Sequence, residues 1–180
     1  MFDPDKYHRH SIRLPGYDYR SPGAYFVTIV CKDRAPIMNE RDLRAVAEET
    51  WLWLADRYQY LDLDAFVVMP NHIHGIVVIN HGCWGGSRTA PTTTLPKPLG
   101  RLIGAFKTVS AKRINEIRGT PGFPVWQRNY YEHIIRNETE FAEIRRYILD
   151  NPLRWDDDPE NLETTHAAAV RDPPLQRAIL

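Results

Sequence analysis

Residues 61–80 read LDLDAFVVMPNHIHGIVVIN, two apolar runs that meet at a Pro-Asn pair. Such a pair is typical of a turn, and the β-branched and aromatic residues on either side are typical of strands. We therefore predict a β-hairpin with strands at 61–69 and 72–80.

The second strand of this hairpin carries His72 and His74, with one apolar residue between them. Side chains two apart on a strand point to the same face, so both imidazoles project together. Neutral imidazoles are good ligands for a divalent metal, and the preceding turn puts this pair near a sheet edge. The pattern fits a metal site, but it also fits a pair of surface or hydrogen-bonded histidines with no function.

The rest of the chain supplies further elements on both sides of the hairpin. Strands are predicted at 24–31 and 125–136, and helices are predicted at 40–58, 99–118 and 138–150. Asn39 and Asn137 are predicted N-caps, and Gly119 is a natural helix stop. The order strand, helix, strand, strand, helix, strand predicts an α+β protein with a ferredoxin-like β-α-β-β-α-β core and an added C-terminal helix.

The length of 180 residues suits one domain, which we expect at 1–155. Residues 81–98 are rich in Gly, Pro, Ser and Thr and predict a mobile internal loop, while 156–180 predict an acidic, proline-containing tail. No apolar run approaches the ~20 residues that span a bilayer, so we expect no membrane contact. Two cysteines form no disulfide framework, which favours the cytoplasm.

The charge pattern is ambiguous about nucleic acid. Lys+Arg and Asp+Glu are equal at 23 each, yet residues 97–118 carry six basic side chains against one acidic one. This basic helix fits phosphate-backbone binding or an ordinary solvated face. Residues 126–133, WQRNYYEH, fit either stacking on unpaired bases or a half-buried strand. The candidate DNA-binding residues are Arg13, Arg101, Lys107, Lys112, Arg128, Tyr130 and His133.

The last predicted helix holds a second candidate chemical pair, Tyr147 and Asn151. They are four residues apart and lie on one helix face. A phenol can form a covalent intermediate, and an amide oxygen can complete a metal shell begun by histidines. An ordinary core tyrosine and a C-terminal cap are the alternatives for these two positions.

Three ordered motifs, VMPNHIHGIV at 68–77, WQRNYYEHIIR at 126–136 and YILDNPLRW at 147–155, resemble the REP-associated tyrosine transposases, a branch of the single-tyrosine HUH transposases. The N-terminal RHSIRLPGYDY at 9–19 and GAYF at 23–26 are similar to the same branch. The resemblance covers about residues 7–155 and implies the ferredoxin-like core with a catalytic tyrosine on the following helix.

The resemblance also implies roles for individual residues. His72 and His74 match the metal motif, Tyr147 matches the nucleophile, and Asn151 matches the third metal ligand, where some relatives have Gln. The implied enzyme cleaves and rejoins single-stranded or hairpin DNA through a 5′-phosphotyrosine, using Mg²⁺ or Mn²⁺. It would act as a monomer or a homodimer at the nucleoid of a prokaryote.

Several alternatives remain open from sequence. A related HUH nickase that serves replication or mobilisation would use identical chemistry. A ferredoxin-like nucleic-acid-binding domain without catalysis would keep the histidines and Tyr147 as structural residues. Tyr130 and Tyr131 are rival candidates for the nucleophile.

Overall fold

The computed structural model describes residue 14 and residues 16–80 and 96–157 of the chain. Its strands and longer helices follow one another as β1 (Gly23–Val30), α1 (Arg41–Arg57), β2 (Leu61–Val68), β3 (His72–Ile79), α2 (Leu99–Arg118), β4 (Tyr131–Ile135) and α3 (Glu138–Asp150). The four strands form one antiparallel sheet in the order β2-β3-β1-β4. The predicted ferredoxin-like core with an added C-terminal helix is confirmed.

One face of the sheet packs against α1 and α2. Tyr25, Val27 and Ile29 alternate along β1 and are fully buried on this face. Gly75 pairs with Val27 across β3 and β1, and a Cβ at Gly75 would lie 2.4 Å from Cζ2 of Trp51. Because no side chain tolerates that approach, glycine at position 75 allows the Trp51 indole of α1 to lie directly on the strand.

Helix α3 covers the opposite face of the sheet. Its buried isoleucines pack on apolar residues of three strands, and this second cluster comprises Phe26, Ile76, Ile135, Ile144 and Ile148. An ion pair between Arg145 Nε and Asp64 Oδ1, 2.9 Å apart, ties the helix to β2. The face that carries His72 and His74 is therefore the face that α3 covers, because these histidines alternate with core residues of β3.

Most predicted helix ends are found in the structure. Helix α2 has the predicted bounds and ends at Gly119, whose φ of +65° is the left-handed conformation that glycine favours. Asn137 caps α3, since its side chain accepts from Glu140 N at 2.9 Å. The predicted cap at Asn39 is wrong. Asn39 ends a short 3-10 turn, and Glu40 precedes α1 without a side-chain cap.

The fourth strand is shorter than the predicted 125–136. Regular pairing covers only β4, and Trp126 makes an isolated bridge with Cys31. The segment that precedes β4 is bonded to helix α2 instead. Trp126 Nε1 donates to Ser110 Oγ of that helix at 2.9 Å. The Lys107 ammonium also donates to the carbonyls of Gln127 and Asn129 in this segment. These two carbonyls therefore have hydrogen-bond partners without pairing to a strand.

Some predictions concern residues outside the described part of the chain. These are residues 81–95 of the predicted internal loop at 81–98, Arg13, and the tail beyond residue 157. The mobile loop, the acidic tail and the domain boundary at 155 therefore stay predictions. None of the helices that the structure describes is long and apolar enough to cross a membrane.

Candidate active site

The two histidines of β3 face each other beneath α3. Their Nε2 atoms are 2.9 Å apart, and both side chains are buried. The other ring nitrogens are engaged, with His72 Nδ1 lying 2.8 Å from Asn71 Oδ1 and His74 Nδ1 lying 2.8 Å from Thr28 Oγ1. Because the amide oxygen of Asn71 accepts, His72 carries its proton on Nδ1 and turns a lone pair on Nε2 toward its neighbour.

Both imidazoles are neutral at pH 7. Burial, together with the positive charge of Arg34, lowers the pKa of His72 to about 3. Burial and the neighbouring His72 hold the pKa of His74 well below its ordinary value. A neutral imidazole is the form that binds a metal, so the pair would bind an ion without net loss of a proton from a charged imidazolium.

Tyr147 of α3 reaches this pair from above. Its hydroxyl lies 3.3 Å from His74 Nε2, and the two rings have centroids 5.3 Å apart. Phe26 completes the contact, because its ring stacks on His74 and meets Tyr147 edge-on. His74 and Tyr147 are 73 residues apart in the sequence, and the fold brings them within hydrogen-bonding distance.

Asn151 lies one helical turn beyond Tyr147. It retains α-helical dihedral angles although α3 ends at the preceding residue, so the spacing of four keeps it on the Tyr147 face. Its side chain is 3% exposed, and its Oδ1 has no hydrogen-bond partner among the described residues. The 3-10 turn Asn151–Asp157 then brings the Trp155 ring to 6.0 Å from that of His72.

The arrangement offers two nitrogen ligands and one amide oxygen. No cluster of three or more His, Cys, Asp or Glu side chains that could hold a metal occurs within the described ranges. A cation at this site would therefore take its third protein ligand from a neutral oxygen. The buried and unpartnered Oδ1 of Asn151 has the chemistry for that position, since a buried polar atom without a partner is costly unless a ligand satisfies it.

The predicted DNA-binding residues of α2 lie away from the histidines, on the helix that packs against the opposite sheet face. Arg101 and Lys112 are exposed there. Lys107 is less available, because its ammonium donates to the carbonyls of Gln127 and Asn129 at 2.9 and 2.8 Å. Burial lowers the pKa of Lys107 to about 8.

The candidates near β4 lie in different surroundings. Arg128 is exposed, whereas the Tyr130 ring lies 5.7 Å below the Lys107 ammonium. His133 shares the histidine face of the sheet and bonds Glu140 Oε1 at 2.7 Å, at the start of α3. The rival nucleophile Tyr131 contacts Phe26 edge-on, and burial raises its pKa.

Three residues of the site were not predicted as site residues. Thr28 and Asn71 orient the histidines, and Trp155 lies beside His72. Asn71 directly precedes His72, and Trp155 closes the third sequence motif, so sequence offered a weak signal for both. The sequence offered no signal for Thr28, because its role depends on its pairing opposite His74 in the sheet.

Comparison with known proteins places this chain among relatives from bacteria. No protein-family model matches the chain. An uncharacterized protein of Haemophilus influenzae is 38% identical, over 84% of this chain and 92% of that protein. A second protein of the same organism, named "Putative REP-associated tyrosine transposase", is 26% identical, over 76% of this chain and 74% of that protein.

A solved structure shares the fold. The structure of a REP-associated tyrosine transposase bound to a REP hairpin superposes with a TM-score of 0.57 at 18% identity. The match covers 83% of this chain and 81% of that one.

Proposed function

We infer that the chain is a REP-associated tyrosine transposase, as its named relative and the solved structure of similar fold indicate, and we propose that it cleaves and rejoins single-stranded DNA through a covalent bond to Tyr147. One observation carries the proposal. The Tyr147 hydroxyl lies 3.3 Å from an imidazole nitrogen that itself faces a second imidazole nitrogen at 2.9 Å. The proposed nucleophile and the two proposed metal ligands are therefore in direct contact, in a partly buried part of the molecule.

The pocket residues fit a divalent ion. His72 and His74 would bind it through Nε2, because their Nδ1 atoms are engaged by Asn71 and Thr28. Asn151 would add its buried, unpartnered Oδ1. Mixed nitrogen and oxygen ligands suit Mn²⁺ or Mg²⁺, and imidazole favours Mn²⁺ of the two. Such an ion would polarise the scissile phosphate and offset the charge that builds on it.

Tyr147 supplies the nucleophile in this scheme. Its phenolate oxygen forms a bond to the scissile phosphorus while the bond to the 3′ oxygen breaks, and the departing strand takes up a proton as a 3′-hydroxyl. The 5′ phosphate remains on the enzyme as a tyrosine ester, which keeps the energy of the broken bond. A 3′-hydroxyl can therefore reverse the attack and join two strands without ATP.

The phenol must lose its proton before it attacks. A free tyrosine has a pKa of about 10, so only a small fraction is ionised at pH 7. His74 is the nearest base, but its Nε2 is assigned to the ion in this scheme. We therefore assign the proton to water, since Tyr147 as a residue is only half-buried.

We propose hairpin-containing single-stranded DNA as the substrate. The transposase of similar fold is bound to a REP hairpin, which supports this class of ligand. Phosphate contacts would come from exposed cations such as Arg128, on the segment that leads into β4. Arg101 and Lys112 on α2 would meet only DNA that wraps to the other face of the sheet.

The proposal is tested with a strand-joining assay. A labelled hairpin oligonucleotide and an unlabelled acceptor strand are incubated with the protein and Mn²⁺ in the absence of ATP. A longer labelled product that disappears with a chelator supports transposase chemistry. Binding of the hairpin without cleavage, and without effect of the chelator, would instead indicate the non-catalytic nucleic-acid-binding domain.

A further inference from the structure

The connection between β1 and α1 contains a strained turn beside the histidine pair. Asp33 and Arg34 adopt φ values of 56° and 55°, the left-handed region that residues other than glycine rarely enter. They are the only such residues in the described part of the chain. Strain of this kind persists where surrounding contacts impose it, and it concentrates at sites of function.

Some of the contacts that hold this turn come from the hairpin that carries His72 and His74. Asn71 donates from Nδ2 to the Arg34 carbonyl at 3.3 Å, while its Oδ1 accepts from His72 Nδ1 at 2.8 Å. The Asn71 carbonyl in turn accepts from Cys31 N at 2.7 Å. One side chain, Asn71, therefore fixes both the orientation of the His72 ring and the position of Arg34.

The Arg34 side chain brings a positive charge to this edge of the pocket. The Arg34 backbone lies beside His72, because Asn71 bonds both the Arg34 carbonyl and the His72 ring, and the positive charge of Arg34 reaches His72. Arg34 is only partly buried, so part of this residue faces solvent. A cation next to a metal-binding pair repels the ion unless an anion lies with them, and a DNA phosphate is the anion that would offset both charges.

We propose that Arg34 binds a backbone phosphate of the DNA strand that lies against His72 and His74. The proposal rests on the proposed function and adds a substrate-binding residue to it. The planar guanidinium suits two oxygens of a single phosphate, which a lysine ammonium meets only as a point charge. The strained turn fixes the Arg34 backbone, and with it the point from which the side chain extends, before DNA arrives.

Salt-dependent binding tests the proposal without any metal or catalysis. The affinity for hairpin single-stranded DNA is measured in chelator over a range of salt concentrations, in a Tyr147→Phe background that cannot form the ester. Arg34→Gln should weaken binding about tenfold and reduce the slope of log K against log salt by about 0.7, the value for one phosphate contact on a single strand. Arg34→Lys should keep the slope and recover only part of the affinity.

Arg57→Gln is the matched control. Arg57 is an exposed arginine at the end of α1 and packs over Tyr58. The β2 strand that follows begins opposite Ile79, at the end of β3 farthest from His72. This control should change neither affinity nor slope. Thermal unfolding of each variant shows whether the protein remains folded.

An uncharged phosphate analogue then shows which phosphate of the DNA Arg34 contacts. A set of hairpins carries a single uncharged methylphosphonate at the scissile position or at one neighbouring position. At one of these positions the Arg34→Gln protein and its parent should bind equally, because the partner charge is already absent. The proposal is overturned if Arg34→Gln leaves affinity and slope unchanged, or if its loss persists with every methylphosphonate.

These experiments distinguish a failure of the Arg34 proposal from a failure of the proposed cleavage chemistry. If the unmodified protein forms no covalent adduct while the Arg34 results hold, the phosphate contact stands and the cleavage chemistry is wrong. If the adduct forms but Arg34→Gln binds like its parent, only the Arg34 assignment is wrong.

Discussion

The Thr28 hydroxyl lies 2.8 Å from His74 Nδ1, and the two residues are direct neighbours in the pairing of β1 with β3. A partner of this kind fixes the ring and strengthens the opposite nitrogen as a ligand. Thr28→Val keeps the shape and removes the bond, so Mn²⁺ affinity measured by calorimetry should fall by roughly 10- to 100-fold.

Thr50→Val is the control for this change. Thr50 is buried in α1 and bonds the Val46 carbonyl, in the core that α1 and α2 form on the opposite face of the sheet. It should leave Mn²⁺ affinity unchanged. Equal Mn²⁺ affinity in the Thr28→Val variant and the unmodified protein would contradict the assigned role of Thr28.

A second prediction concerns Asn151, whose buried Oδ1 is unpartnered among the described residues. Replacing it by leucine removes a polar group that costs about 1–3 kcal/mol to bury unpaired. The metal-free Asn151→Leu protein should therefore be more stable to urea, while its Mn²⁺ affinity falls. A variant that binds Mn²⁺ as tightly as the parent would remove Asn151 from the ligand set.

The neutral histidines predict how stability depends on pH. Their folded-state pKa values lie below the ordinary value of 6.5, and that of His72 is about 3. The unfolded chain therefore binds more protons in this window. Stability should be complete above pH 6.5 and fall as the pH drops toward 3, by up to about 1.4 kcal/mol per histidine and pH unit.

Urea unfolding in chelator between pH 7 and pH 5 measures this slope. Replacement of both His72 and His74 by glutamine should make the dependence shallower. An unchanged slope in that double variant would show that other groups cause the acid sensitivity.

The close contact between Gly75 and Trp51 leads to a prediction about stability alone. A methyl group there would meet the Trp51 ring at 2.4 Å, so Gly75→Ala should destabilise the protein by about 1–3 kcal/mol through overpacking. Gly104 of α2 is the control, because a Cβ there meets nothing within 4 Å. Gly104→Ala should be stabilising by up to about 1 kcal/mol. Denaturant unfolding compares the two, and a neutral Gly75→Ala would contradict the packing.

Sequence predicted the parts of this molecule that depend on local pattern. The hairpin at 61–80 and the bounds of α2 follow from apolar periodicity and turn residues, and the element order then determines the fold. The helix cap near Asn39 was wrong, because burial of Met38 and its bond to the Pro70 carbonyl fix a turn there. That contact joins segments 32 residues apart, which local pattern does not reveal.

The site was predictable only where its residues stand in a motif. His72, His74, Tyr147 and Asn151 were found from their spacing and family resemblance. The partners that orient them depend on strand register, as with Thr28. The position of Arg34 depends on left-handed backbone conformations that the sequence signals only weakly, through the aspartate at 33.

Identification of the modified residue tests directly whether Tyr147 forms the covalent bond to DNA. The protein is incubated with hairpin single-stranded DNA and Mn²⁺, denatured and digested, and the peptide that carries the nucleotide is identified by mass spectrometry. We expect modification at Tyr147, loss of the adduct in Tyr147→Phe, and an intact adduct in the control Tyr131→Phe. An adduct on Tyr130 or Tyr131, or one that survives in Tyr147→Phe, would show that Tyr147 is not the nucleophile.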